Sequence, residues 1–237
     1  NDVFVTAYYN AMSITFPIGE KMFIDSVREF KDQITDEKLK KEMSGFFGQE
    51  GFHSREHQQF NEALCELRGY DLAYLEKPLR QGRDYSNKNF TAMQRLASTV
   101  AAEHLTAIMA DMSLRENHWF GNATPKMQEM WLWHAAEELE HKSVAFDVYK
   151  AMGGTTKMRN TALRQVSIMI TKDVLRGAIH MLRRNKQLWK WSTFKSAAKF
   201  LFGKKGLIPT LAPAYKEFFK DDFHPWQHDN RDLLAQW

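Results

Sequence analysis

The sequence holds a single cysteine, Cys65, among 237 residues. It can form no intramolecular disulfide and no thiolate metal site, and a reducing cytoplasm is the expected compartment. No apolar run approaches the roughly 18 residues that a membrane-spanning helix needs. No basic segment followed by an apolar one opens the chain at Asn1, so no signal peptide is expected; the missing initial Met fits a trimmed start. Alternating β-branched runs and hairpin dipeptides between them are absent, which excludes a substantial sheet. There is no recognition-helix or RNA-motif signature, so nucleic acid is not an expected partner. Acid is scarce late in the chain: residues 157–237 carry 16 Lys+Arg against 6 Asp+Glu, or +10, whereas residues 1–156 carry 17 against 23, or −6. The basic part is where an anionic partner would be sought.

What is present is helical. Hydrophobic content of 43% and charged content of 26% are those of a globular chain, and 12 Met with 13% aromatics imply a bulky, adaptable core. Residues 1–12 read as a lead-in, and a first helix is expected from Ser13 to about Lys31, with Pro17 in its first turn. Thr35-Asp36 opens a second helix that runs to about Arg68 and ends at Gly69. Inside it Gly45, Gly48 and Gly51 recur, each at a cost of about 1 kcal/mol relative to Ala. That cost points to a closely approaching neighbour, a local distortion or a break.

Residues 69–88, with Pro78 and Gly82, read as a loop. A third helix is expected from about Asn89 to Asn117, with Leu96, Val100, Glu103 and Ala107 on its core face. Gly121 to Thr124 form a loop whose last residue caps a fourth helix. That helix starts at Pro125 and runs to about Met152, where Gly153-Gly154 stops it. A fifth spans 156–184. From Asn185 to Lys205, the residues Leu188, Trp191, Phe194, Ala198 and Leu201 recur at helical spacing between Lys190, Lys195 and Lys199. This is either an amphipathic helix on an anionic membrane or a partner, or a helix packed on the bundle with a solvated basic face. The tail, with Pro209, Pro213 and His224-Pro-Trp-Gln-His228, reads as irregular structure. The expected architecture is all-α: a dimetal four-helix bundle over 1–155, with 156–237 as a basic helical extension packed on it in the same domain.

The chemistry concentrates in Trp131–His141, where His134, Glu138 and His141 are spaced i, i+4, i+7 and fall within roughly 60° of one another on a helix. Gln49-Glu-Gly-Phe-His53 carries a second Glu-x-x-His. Glu20 and Glu103 are lone acids among apolar neighbours. One Glu from each of two helices plus Glu-x-x-His from each of the other two is the set with which a four-helix bundle holds two metal ions. Four carboxylates neutralise two divalent ions, which a low-dielectric core tolerates. One imidazole per ion suits iron, with manganese as the alternative. The expected ligands are Glu20, Glu50, His53, Glu103, His134, Glu138 and His141. His57 and Glu137 are each either a partner behind a ligand or an alternative ligand, Glu137 in place of Glu138. His104, Glu137 and Glu140 point away from the chosen face. Phe46, Phe47, Met109 and Trp131 either line an apolar pocket or belong to the core.

These residues resemble the ferritin-like diiron-carboxylate superfamily, and the third histidine, His134, brings the pattern closer to the four-Glu, three-His site of the p-aminobenzoate N-oxygenase type. The whole chain also resembles a bacterial family of predicted metal-dependent hydrolases through Phe16–Glu20, Gln49–His53, Glu137–His141 and His224-Pro-Trp226. The ligand motifs span about residues 16–141, and the C-terminal third has no counterpart in a minimal ferritin bundle. The resemblance implies a non-haem diiron oxygenase or oxidase that activates O2 at two Fe ions and oxidises a small hydrophobic or amine substrate. N-oxygenation, hydroxylation and desaturation are all compatible outcomes. Electrons would come from an external donor, since nothing in the sequence binds flavin or an Fe–S cluster. A two-metal hydrolase using a bridging hydroxide and a non-enzymatic metal-storage protein are the alternatives. Peripheral membrane contact through 186–205 is expected as a further interaction, and a homodimer is left open.

Overall fold

In the computed structural model, which describes residues 2–115, 120 and 123–235, all regular structure is helical. Four elements carry the chemical residues: α1 (Val3–Arg28), α2 (Glu37–Arg68), α4 (Ala92–Arg115) and α5 (Pro125–His141). The hairpins α1–α2 and α4–α5 pack together into a bundle. The remaining helices, α3 (Leu72–Asn89), α6 (Val144–Ala151), α7 (Thr156–Arg184), α8 (Trp191–Phe202), α9 (Leu207–Glu217) and α10 (Arg231–Leu234), cover its sides and ends.

Several boundaries differ from the sequence expectation, each for a visible reason. The segment 1–12 is no lead-in: Asp2 accepts hydrogen bonds from the Phe4 and Val5 amides and starts α1 at Val3, burying Phe4, Tyr9 and Met12. Pro17 therefore lies deep inside α1. Its missing N–H leaves the Ser13 carbonyl without an intrahelical donor, and the Asn61 side chain of α2 supplies one at 2.9 Å. Residues 69–88 are not a loop but chiefly α3, whose Leu72, Leu75 and Leu79 face the bundle. The carbonyl freed by Pro78, that of Tyr74, is taken by Arg176 of α7 at 3.2 Å. The third predicted helix starts at Ala92, and its expected end at Asn117, like Gly121 of the following loop, lies outside the described residues. Thr124 takes the N-cap position of α5 but makes no side-chain cap bond.

The expected fourth helix is two, α5 and α6, interrupted at Lys142-Ser143. The tail is what engages this interruption. Lys142 donates to the His228 carbonyl at 2.6 Å and to the Asn230 side chain, and lies 4.1 Å over the Trp226 ring. Trp226 donates to Ser143 at 3.1 Å, and His224 meets Asp147 at 3.0 Å. The late His-Pro-Trp element is thus a clip at the end of the helix that carries His141. The tail is also more regular than expected, since α9 covers Leu207–Glu217.

Two other features bear on the site. Gly177 lets α7 lie close to α1, because a Cβ there would come within 2.9 Å of the Ala11 Cβ. Gly45, Gly48 and Gly51 do not serve that purpose: α2 is unbroken, all three are exposed, and nothing lies within 4 Å of an added Cβ. Nothing in the structure explains them. Apolar side chains fill the bundle on both sides of a polar middle layer. One cluster includes Met43, Phe46, Leu96, Tyr149 and Leu163, the other Phe4, Tyr9, Trp131 and Met181.

The extension is fastened by a buried cation. Arg159 of α7 is 1% exposed, donates to the Phe218 and Lys220 carbonyls at 2.7 and 2.6 Å, and sits 4.9–5.5 Å from the rings of Phe146, Phe218 and Phe223. Arg159→Leu should cost about 3 kcal/mol in chemical denaturation, since a buried carbonyl and a part-buried one lose a charged donor. Limited proteolysis should then cut first beyond residue 218.

Candidate metal centre

The polar middle layer of the bundle contains all seven predicted ligands. α1 contributes Glu20; α2 Glu50 and His53; α4 Glu103; α5 His134, Glu138 and His141; none is more than 4% exposed. Donor atoms of Glu20, His53 and His134 lie within 4.8 Å of one another, and so do those of Glu50, Glu138 and His141. Glu103 joins the second group, with Oε2 3.6 Å from His141 Nε2. Two carboxylates reach both groups. Glu50 lies 3.7 Å from His53 and 3.4 Å from His141, and Glu138 lies 2.9 Å from His134 and 3.7 Å from His141. The grouping is uneven: His53 and His134 share one side, their rings stacked 4.1 Å apart, and His141 has the other.

Each imidazole is held from behind. His141 Nδ1 meets Gln49 Oε1 at 3.0 Å, and the Gln49 amide is oriented by donating to Glu140 at 2.7 Å. His53 Nε2 lies 3.0 Å from Glu137 Oε2. Glu137 was expected to point away; its carboxylate instead backs His53 and also accepts from Trp133 Nε1 at 3.1 Å. His134 Nδ1 meets His57 Nε2 at 2.8 Å. Their other nitrogens, His53 Nδ1, His134 Nε2 and His141 Nε2, all face the carboxylates.

For His134 the tautomer follows from its neighbours. The Asn61 amide nitrogen can only donate, and it does so to the carbonyl that Pro17 frees. Asn61 Oδ1 must then face Ser13, whose hydroxyl donates to it at 2.7 Å. The Ser13 oxygen is left to accept from His57 Nδ1, also at 2.7 Å. His57 Nε2 is consequently an acceptor and takes the proton of His134 Nδ1. His134 Nε2 therefore presents a lone pair to the centre, 2.9 Å from Glu138 Oε1. Two electron-rich atoms at that separation call for a cation between or beside them.

Electrostatics agree. Burial first, and then the charges of Glu50, Glu138 and Glu103, hold the Glu20 carboxyl well above its usual range; burial and Glu50 do the same to Glu103. Burial would raise Glu50 and Glu138 too, but the adjacent histidines outweigh it and lower both. His53 is raised to about 9 and His141 well above the ordinary value, because their carboxylate neighbours overcome burial. His57 is pushed well below by burial and by His134, in keeping with a neutral ring. Both oxygens of Glu20, Glu50 and Glu103, one of Glu138 and the inward nitrogens of His53 and His141 have no hydrogen-bond partner. So many unpartnered ligand atoms converging in a buried core fit metal coordination.

The roles missed by sequence reading are those of Ser13, Gln49 and Asn61. A signal was available, since Glu50, His53, His57 and Asn61 form one polar stripe on the buried face of α2. His104 faces away as expected. Burial lowers its pKa to about 3, and it packs 4.6 Å from the Phe218 ring. Of the candidate pocket residues, Met109 and Trp131 line a cavity of about 640 Å³ between α1, α3, α4 and α7, whereas Phe46 and Phe47 belong to the core. His134 and Glu138 form part of the wall of that cavity.

The fold and the centre together define an all-helical protein with a buried glutamate–histidine cluster suited to metal. The model of a family described as predicted metal-dependent hydrolases matches residues 1–229, and the chain belongs to that family. No curated protein and no solved structure matches it.

Glu20→Gln should stabilise the metal-free protein by about 1 kcal/mol or more, because it removes a buried like charge. The gain should grow as pH rises: a raised acid is protonated and harmless at low pH and costs most once ionised. The same variant should hold less metal per chain than wild type, while Glu129→Ala, on the exposed side of α5, keeps the full complement. His57→Phe should weaken metal binding about 10–100-fold in a chelator competition, with Ser13→Ala following in the same direction.

Proposed function

We propose that the chain is a two-metal oxidoreductase that uses O2 to oxidise an apolar organic molecule. The carrying observation is a junction: His134 and Glu138, which belong to the carboxylate–histidine cluster, also complete the wall of the large cavity. In this reading Glu20, His53 and His134 would hold one ion, and Glu50, Glu103, Glu138 and His141 the other. A mixed oxygen and imidazole donor set suits iron, with manganese the alternative. When bound, iron supplies the electrons and open coordination positions that O2 activation requires.

The remaining work falls to the chain. The cavity lining runs from Tyr9 to Glu29 along α1 and from Arg95 to Ser113 along α4. At 1.5 Å per residue this is a path of about 27–30 Å. Met12, Phe16, Leu105, Met109, Trp131 and Ile170 make its middle apolar, so it selects an elongated apolar skeleton and keeps water from the cluster. Arg83 and Lys172, with Asp25, Glu29 and Asp173, make its rim polar, which suits a polar end group. Phe16, which also lines the cavity, packs with its ring 4.6 Å from both His57 and His134. Reducing equivalents come from an external donor.

The family's description favours a second reading, a two-metal hydrolase in which water replaces O2 as co-substrate. Anaerobic loading with Fe(II), followed by O2 in an oxygen-electrode cell, separates the two. Oxygen uptake in proportion to bound iron, increased by long-chain apolar compounds in the presence of a reductant, is expected. No uptake, together with ester cleavage by the Zn(II) or Mn(II) form, would establish the hydrolase instead. Accumulation of many irons per chain would point to storage and overturn both. Ile170→Trp, which fills the cavity from α7, a helix that carries none of the ligands, should raise KM about tenfold at unchanged metal content.

A further inference from the structure

The outer face of α8 is unused by the proposed chemistry. Trp191, Phe194, Ala198 and Phe202 fall within roughly 80° of one another on this helix, and all four face solvent, the three aromatics at 79%, 45% and 66% exposure. The helix has a second, inward face. Thr193 and Phe200 are each 5% exposed, and Phe200 packs against Phe4, Tyr8 and Tyr9 of α1. The aromatic stripe is therefore not the one that attaches α8 to the bundle. Packing is complete without it. Trp189, 81% exposed, and Ile208, 49% exposed, extend the apolar surface at either end, and Trp189 lies 6.5 Å from the Phe194 ring.

Charge identifies the occupant. Residues 185–216 contain Lys186, Lys190, Lys195, Lys199, Lys204, Lys205 and Lys216 and no Asp or Glu. Lys195 and Lys199 lie beside the aromatic stripe, within the next quarter-turn of the helix. Aromatic rings that settle at headgroup depth, with lysines alongside to reach phosphates, suit the interface of an anionic bilayer. A surface-lying helix of this kind needs no spanning segment, and no helix among the described residues is long and apolar enough to cross a membrane.

We propose that the outer face of α8, together with Trp189 and the first turn of α9, docks the protein on an anionic lipid bilayer, with α8 lying in the plane of the interface. The docking is independent of which reaction the metal centre performs.

The test is co-sedimentation of the full chain with large vesicles of phosphatidylcholine alone or mixed with phosphatidylglycerol. Binding is expected to the mixed vesicles only, and to fall as salt rises. The triple variant Trp191→Ser, Phe194→Ser, Phe202→Ser changes only exposed positions and should keep the wild-type melting temperature and metal content. It should bind at least about tenfold more weakly, and Lys195→Glu with Lys199→Glu should do likewise. Equal vesicle binding by the wild type and a folded triple variant would overturn the proposal. So would an absence of vesicle binding, and a wild-type dimer in sedimentation velocity that the variant lacks would then assign the face to a second copy of the chain.

Discussion

The structure depends on a concentration of negative charge where charge is least tolerated. Glu20, Glu50, Glu103 and Glu138 share the dry middle of a four-helix bundle, and burial and mutual repulsion both oppose their ionisation. A chain selected for stability alone would place leucines there. Around this strained layer the rest follows. Apolar clusters close the bundle on both sides, the hairpins α1–α2 and α4–α5 bring acids from different helices together, and α7 is laid close to α1 through Gly177.

Holding the carboxylates is half of the arrangement; aiming the imidazoles is the other half. Each of the three is backed by a different partner, Glu137, His57 or Gln49. Behind His57 the control runs through Ser13 and Asn61 to a backbone carbonyl, and that carbonyl is free because Pro17 interrupts the α1 ladder. A residue that usually weakens a helix thereby fixes which nitrogen of His134 faces the cluster. Arg176 uses the Tyr74 carbonyl freed by Pro78 in the same way, to fasten α3 to α7.

Membership of the family of predicted metal-dependent hydrolases and the buried donor set agree on metal dependence. They pull differently on the reaction: the description suggests water as the co-substrate, whereas a carboxylate-rich cage opening onto an apolar cavity suits oxidation of an apolar molecule. The proposed docking of α8 on a bilayer would fit the proposed oxidation, since a protein acting on elongated apolar molecules would gain from lying where such molecules are concentrated.

How much of this was legible in the sequence depends on the range of the interactions. The two Glu-x-x-His pairs, the lone acids Glu20 and Glu103 and the capping signals of α2 are written in local spacing, and spacing alone was enough to indicate an all-helical bundle with a polar core. Helix α3 was misread because Pro78 and Gly82 outweighed the Leu72–Leu75–Leu79 stripe; the side chain that makes Pro78 tolerable comes from Arg176, far along the chain. The interruption after His141 was invisible because the tail residues that engage it lie 80 or more positions away. Of the stripe expected on α8, Trp191, Phe194 and Ala198 face solvent whereas Leu188 and Leu201 pack on the bundle; the amphipathic pattern predicts that one face is special, and only packing against Phe4, Tyr8 and Tyr9 decides that the aromatic face is left outside. Local spacing determined which residues share a helix face. Tertiary contact decided which faces meet, which carbonyls find donors and which nitrogen of each imidazole looks inward, because these depend on groups that no short-range pattern brings together.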